Sequence, residues 1–314
     1  MIVTVGFNSG IESRYHVEGL SRSAEAAVSI TALAADHQAS GGAIITTRVA
    51  NELGEKTVVT GTIGGMTGQL LCSLLSEDQV AHDFVQINGD TPQNITLFDQ
   101  ETQRTYRISQ PGLAVDASAV TGVSDKIKSL SHQGEVVVFS GALPAGSSPD
   151  DSYISLIRQT AQQGAVTVLN TGGVILQEVL QAQPYLIVIS RADLETWLGM
   201  QDCAFDQLLE GIVRISLTGS EIVALSLGSN GAVIAWGQDV YRAEPPAVNV
   251  VNYEGCEDTL TAGFAVGLSR RWGAQETIRT AMAAVIANVL AARPGRLRLL
   301  DVEALWEQIQ VSKI

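Results

Sequence analysis

Val248-Asn249-Val250-Val251-Asn252-Tyr253-Glu254-Gly255-Cys256-Glu257-Asp258-Thr259-Leu260-Thr261-Ala262-Gly263-Phe264-Ala265-Val266-Gly267-Leu268 decides how the chain reads. Val248, Val250 and Val251 suggest a strand, Gly255 permits a left-handed backbone angle, and the small residues from Thr261 to Leu268 predict a helix packed closely on a sheet. One acid, Asp258, falls at the junction. The first N–H groups of a helix are unpaired within it and carry partial positive charge, so an anion sits well there. An aspartate at that point can take a proton from a hydroxyl while the amides hold the group under attack. Aspartate is also a common helix cap, and spacing alone leaves cap and base equally open.

Outward from this segment, the chain reads as alternating strands and helices. Apolar runs at 1–9, 58–63, 136–139, 166–169, 185–189, 222–226 and 231–235 predict strands. Helices are expected at 43–53, 68–77, 116–130, 150–163, 174–182, 191–198, 204–217 and 276–291. Continuously apolar strands between helices imply a mostly parallel sheet covered on both faces, with ligands at the strand carboxyl ends. Two stretches stand apart: 13–20 reads as a polar-faced strand, and 94–108 as a hairpin with a turn at 100–103. Together they predict a small β lid on a single domain spanning 1–314.

Composition narrows the function. The chain has 314 residues, 46% of them hydrophobic, enough for one large core. No run of about 18 apolar residues occurs, and the N-terminus has no basic leader, so a cytoplasmic protein without membrane contact is expected. A net charge of −14 argues against a nucleic-acid surface. Cys72, Cys203 and Cys256 lack metal-ligand spacing, and Cys72 lies in an apolar helical run that places it in the core. His16, His37, His82 and His132 are scattered. Lysine is confined to Lys56, Lys126, Lys128 and Lys313, so any anionic ligand must be held by arginine, backbone amides or metal. No Gly-x-Gly-x-x-Gly follows the first strand, which disfavours a dinucleotide-dependent dehydrogenase.

The motifs, taken in order, resemble the ribokinase-like (PfkB) carbohydrate kinases, in particular the branch of 1-phosphofructokinase and tagatose-6-phosphate kinase. Gly255-Cys256-Glu257-Asp258 stands where that family carries Gly-Ala-Gly-Asp. Gly61 to Gly68 resembles its glycine-rich turn. Ser140-Gly141-Ala142-Leu143-Pro144-Ala145-Gly146 resembles Ser-Gly-Ser-Leu-Pro-Pro-Gly, and Leu169 to Gly173 is similar to Leu-Asp-Thr-Ser-Gly. The resemblance spans the whole chain. It implies a three-layer α/β/α doubly wound fold with a β lid, and an ATP- and Mg-dependent transfer of phosphate to a primary hydroxyl of a sugar or sugar phosphate. It further implies Asp258 as base and the amides of Gly255, Cys256 and Glu257 as anion hole. Ser226, Gly228, Asn230 and Gly231, with Ser190 and Asp193, fall at the nucleotide, Asp193 contacting Mg through water. Glu12, Gly41, Gly42, Asn94 and Arg107 fall at the acceptor, and a homodimer through the lid is expected.

Several positions depart from the pattern. Gly42 replaces the lysine that holds substrate phosphate, Ile45 an asparagine, Glu12 an aspartate and Pro92 an arginine; Ser190 to Asp193 replaces Asn-x-x-Glu. Losing the lysine and the arginine removes roughly 3 to 6 kcal/mol if each charge-assisted bond is worth about 1.5–3. Arg104 or Arg107 on the hairpin is the available substitute. Glu257 replaces the middle glycine, and a carboxylate about 5 Å from a transferring phosphoryl group costs on the order of 3 kcal/mol at an effective dielectric of about 20. These changes raise a second expectation, a kinase-fold protein that binds a ligand or regulates without catalysis.

Overall fold

The structure, a computed structural model, describes residues 1–20, 29–143, 153–171 and 176–314. The strands are β1 (Ile2–Gly6), β2 (Gly10–Val17), β3 (Ala34–Ser40), β4 (Thr57–Ile63), β5 (Val85–Gln86), β6 (Gln93–Asp99), β7 (Arg104–Ile108), β8 (Val136–Ser140), β9 (Val166–Asn170), β10 (Leu186–Ser190), β11 (Ile222–Ser226), β12 (Ala232–Trp236), β13 (Asp239–Glu244) and β14 (Gln310–Lys313). The helices are α1 (Gly42–Glu52), α2 (Gly65–Glu77), α3 (Ala117–Leu130), α4 (Ser155–Gln162), α5 (Leu176–Val179), α6 (Arg191–Leu198), α7 (Phe205–Ser216), α8 (Cys256–Arg270), α9 (Ala274–Leu290) and α10 (Leu299–Trp306). The beginnings of the helices expected at 150–163 and 174–182, and the motif positions Pro144 to Gly146, Gly172 and Gly173, lie outside the described residues.

Ten strands form one sheet in the order β14-β13-β12-β11-β10-β9-β8-β1-β4-β5. From β11 to β5 every neighbour is parallel, and β12, β13 and β14 extend the sheet antiparallel. Successive side chains on a strand face opposite ways, so a strand buried on both sides must be apolar throughout. β8 shows the consequence: Val136 and Val138 enter the core shared with α1, α8, α9 and α10, while Val137 and Phe139 enter the one shared with α3, α4, α6 and α7. This is the three-layer α/β arrangement that the sequence predicts. β1 is flanked by β4 and β8, so the chain leaves it to one side and later returns to the other. Crevices open at the carboxyl ends of strands at such a switch point.

A second sheet of four strands, ordered β3-β2-β6-β7, packs on α2 through Ile11, Ala39, Ile63, Leu71 and Leu75. It contains both stretches read as standing apart, together with β3, which the sequence reading omits. Ala34-Ala35-Asp36-His37-Gln38 has no apolar alternation, and its pairing with β2 is made by backbone bonds that sequence pattern does not record. Cys72, expected in the core, is only half-buried.

The strand expected at 248–251 does not form. Pro245 and Pro246 end β13 because neither has an N–H to donate. The chain then runs extended along the end of α9, where the N–H groups of Val251 and Asn252 both reach the carbonyl of Val289, at 2.8 and 3.2 Å. α8 is helical as expected, but its small residues serve chiefly a helix. A Cβ on Gly263 would lie 2.3 Å from Cα of Ala281 in α9. Among the described residues, no helix is long and apolar enough to cross a membrane.

Candidate active site

Asp258 opens no cap. Gly255, at φ 71°, takes the N-cap position of α8, and no side chain caps the helix. The Asp258 carboxylate points instead to the ends of two parallel strands. Its Oδ1 accepts from Oγ of Ser140 at 3.1 Å and from Nδ2 of Asn170 at 2.8 Å. Ser140 is the last residue of β8 and Asn170 the last of β9, so the sheet register fixes both donors. Beneath them the hydroxyl of buried Tyr153 donates to the Ser140 carbonyl at 3.1 Å. Burial raises the Asp258 carboxyl to about 6, opposed by the Ser140 hydrogen bond, reinforced by the negative charge of Glu257 and opposed again by Asn170. A carboxylate so placed exchanges its proton near neutral pH.

Gly42, the first residue of α1, closes over Asp258. A Cβ there would stand 2.6 Å from Asp258 Oδ1 and 2.6 Å from Ser140 Oγ, so the lysine of the related motif has no room in this arrangement. Arg48, which ends the same motif, is buried; it donates to Asp78 through Nε at 3.1 Å and to the Ala39 carbonyl at 2.8 Å. It holds the fold together and does not reach the cavity wall. Ile45 packs beside Gly255 and Gly295, an apolar filler beneath the turn.

Two cavities approach Asp258 without being lined by it, the first through Gly42 and Ser140 and the second through Cys256 and Glu257. The first, of about 290 Å³, lies at the ends of β1 and β8 and is walled by Asn8, Ser9, Gly41, Gly42, Asn94 and Ser140, among others. The second, of about 420 Å³, runs from Ser226, Gly228 and Gly231 past Val248 and Val250 to Cys256 and Glu257, with Met282, Ile286 and Val289 of α9 as its far wall. Asn230 sits on the same turn but not on the wall. Among the described residues neither wall holds lysine or arginine.

The remaining predicted residues are placed elsewhere. Ser190 and Asp193 form a capping box on α6, with the Ser190 N–H donating to Asp193 Oδ2 at 3.0 Å. Glu12 accepts the hydroxyl of Thr96 on the neighbouring strand. Arg107, expected at the acceptor, does not line the smaller cavity: it pairs with Glu254, as does Arg14 at 2.8 Å. Both arginines come from the small sheet, and Glu254 immediately precedes Gly255, so the sheet is tied to the turn that opens α8. No group of three or more metal-ligating side chains is present among the described residues.

Sequence reasoning gave no site role to Asn170, Asn252 or Asn288. Asn252 donates to the carbonyls of Asn288 and Ala291 at 2.8 and 2.7 Å. Fully buried Asn288 donates to Glu254 O at 2.9 Å and accepts from Gly295 N at 2.7 Å. This network holds the 252–255 turn against α9. The signal available in the sequence was an asparagine inside an otherwise apolar helix, a buried polar group that requires partners.

Residues 12–295 match the sequence model of the pfkB family carbohydrate kinases. The fold is shared with solved sugar-kinase structures over nearly their whole length. Phosphofructokinase-2 from Escherichia coli, in complex with fructose-6-phosphate, superposes with a TM-score of 0.85 at 22% identity over 98% of both chains. A possible 1-phosphofructokinase from Thermotoga maritima gives 0.82 at 18% identity, over 100% of this chain and 99% of that one. Arabidopsis thaliana ribokinase, complexed with ribose and ATP, gives 0.74 at 20% identity over 98% of both chains. The class is therefore the ribokinase-like α/β kinase fold. The chain belongs to the pfkB family of carbohydrate kinases.

Proposed function

We propose that the chain transfers the terminal phosphoryl group of ATP to a primary hydroxyl of an acceptor bound in the smaller cavity, with Asp258 as the general base. The observation that carries this reading is the seating of Asp258 between the two cavities, on fixed donors and with its carboxyl raised to about 6. Asn170 and Ser140 hold one carboxylate oxygen, which orients the group toward the acceptor hydroxyl. The unpaired N–H groups of Cys256, Glu257 and Asp258 at the head of α8 face charge developing on the phosphoryl oxygens. Positioning and electrostatics of this kind account for most catalysis of phosphoryl transfer.

The larger cavity fits a nucleotide. Val248, Val250, Met282, Ile286 and Val289 offer apolar faces for a planar base, and the turn at Gly228 and Gly231 brings backbone close to it. With no lysine or arginine on the wall, a triphosphate would arrive with a divalent cation, which supplies positive charge between its oxygens. Magnesium needs only one or two protein carboxylates beside phosphate oxygens and water. Glu257, on the cavity wall, is better placed for that than Asp193, whose Oδ2 is engaged in the capping box. The small sheet acts as the lid, held by Arg14 and Arg107 on Glu254. Its strand β7 is exposed along its length, with Tyr106 and Ile108 outward, and we propose it as the face of a homodimer.

A kinase-fold protein without catalysis has no comparison in its favour, and the base, its donors and both cavities are all present. Calorimetric titration of Mg-ATP, followed by ADP release with a panel of acceptors, tests the proposal. Wild type is expected to bind and turn over, and Asp258→Asn to lose about 10²- to 10⁴-fold in kcat while still binding nucleotide. The wild-type rate should fall about tenfold per pH unit below about 6, because only the ionised carboxylate accepts a proton. Undiminished turnover in Asp258→Asn removes the assigned role.

A further inference from the structure

We infer that the acceptor is an uncharged sugar or polyol and carries no phosphate; this rests on the kinase reading above and specifies its substrate. The wall of the smaller cavity is built from neutral hydrogen-bonding groups: Asn8, Ser9, Asn94, Ser109, Gln110 and Ser140. A sugar phosphate brings two negative charges, and sites for such groups supply arginine, lysine or several charge-assisted bonds. Among the described residues, this wall supplies none. The nearby cations are already committed: Arg14 and Arg107 to Glu254, and Arg48 to Asp78. Of the segments outside the described residues, 144–152 and 172–175 contain no lysine or arginine, and 21–28 contains only Arg22.

The polar side chains on this wall differ in how open they are. Ser9 is 3% exposed, and its hydroxyl is buried with no hydrogen-bond partner. Its oxygen has almost no accessible surface, and other buried hydroxyls, Thr57, Thr62 and Thr277 among them, are likewise unpaired among the described residues, so Ser9 adds polarity to the wall without marking a ligand. The amides beside it are better placed. The Asn94 carbonyl oxygen accepts from Gln110 N at 3.1 Å and that of Gln110 from Gln93 N at 2.9 Å, so each amide keeps an NH₂ group for sugar oxygens. Pro92, also on this wall, stands where the phosphosugar branch carries arginine.

The test measures ADP release and product formation by the full chain with Mg-ATP, comparing fructose and tagatose with fructose-6-phosphate and tagatose-6-phosphate, each of which keeps a free primary hydroxyl at C1. Thermal shift of the same protein with each sugar alone provides a second readout. Each neutral sugar that is used should exceed its phosphate ester in kcat/KM by about a hundredfold, the scale of two missing charge-assisted bonds. Asn94→Ala should raise KM for the neutral acceptor about tenfold with kcat nearly unchanged. Pro92→Arg, which adds a cation to the wall, should lower KM for fructose-6-phosphate by about tenfold. Preference for a phosphate ester, with turnover abolished in Asp258→Asn, overturns this inference and leaves the kinase reading standing. Stabilisation by neutral sugar without turnover supports the neutral cavity and removes the kinase reading. Stabilisation by the phosphate esters alone, or by none of the four, overturns the inference.

Discussion

The two cavities flanking the head of α8 lie on the same sheet edge, yet they are built from different parts of the chain. The smaller is a meeting of strand ends and tight turns: Gly6, Ser9, Gly42 and Ser140 come from separate elements, and its wall is polar. The larger is one face of a helix against an extended loop, and its wall is apolar. The difference sets what each can tolerate. An apolar face accepts substitutions of similar volume, whereas a polar wall assembled from strand ends depends on register and on single atoms. Asp258 lines neither, but it touches Gly42 and Ser140 of the smaller and directly follows Glu257 of the larger, which is why its surroundings give the sharpest tests of the contrast.

Gly42→Ala should have the largest effect. Its methyl group has no space between Asp258 and Ser140, so kcat/KM should fall at least about a hundredfold, as expected for a displaced reacting group, while nucleotide binding measured by calorimetry persists. Retained turnover would show that the polar side is as forgiving as the apolar side. Asn170→Leu follows. It removes a bond that favours the ionised carboxylate, so the acid limb of the pH–rate profile should move above about 6 and the rate near neutrality should fall about twofold.

Glu257→Gln acts from the larger cavity and in the opposite direction. Removing its charge lowers the Asp258 pKa, so the acid limb should shift below about 6. The rate at high pH then separates two roles for Glu257: a rise marks relief of repulsion, and a rise in the magnesium requirement marks a lost cation ligand. The smallest effect belongs to Glu254→Gln. It frees Arg14 and Arg107 from the turn, and since these are partly exposed pairs, acceptor KM should change only slightly. A change in nucleotide affinity instead would place the coupling on the apolar side.

Asp258 also links the site to stability. Its folded pKa, about 6, lies above the ordinary carboxylate value of 3.8, so the folded form holds a proton that the unfolded form releases. This contribution to stability is complete below pH of about 4, is lost as pH rises to about 6, and is flat above that. The Asp258→Asn variant should lack that decline in Tm, which scans across the window would show.

The fold was legible because it rests on local rules. Val136-Val137-Val138-Phe139 and Leu186-Ile187-Val188-Ile189 are apolar at every position, a pattern that only a strand covered on both faces sustains over so few residues. The strand reading at 248–251 failed for the converse reason. Val250 and Val251 carry β-propensity, but no neighbouring strand offers them a ladder, and the end of α9 takes the N–H groups of Val251 and Asn252. At the site, Asp258 and the Gly255 turn were readable because helix starts have a sequence signature. Asn170 and Asn288 were not, since their roles depend on partners 88 and 34 residues away.

By itself, then, the sequence determined the layered α/β architecture, the helix start that carries Asp258, and the departures at Gly42, Ile45, Pro92 and Glu257. Hydrophobic period and turn chemistry act within a few residues and are written in order along the chain. Only the tertiary structure decided that Asp258 is no cap, that Arg107 pairs with Glu254 and does not line the smaller cavity, that a Cβ at 42 would crowd Asp258 and Ser140, and that the described wall of that cavity carries no charged side chain. Those outcomes turn on which atoms of distant segments stand within hydrogen-bonding or van der Waals distance, and that is fixed by sheet register and helix packing.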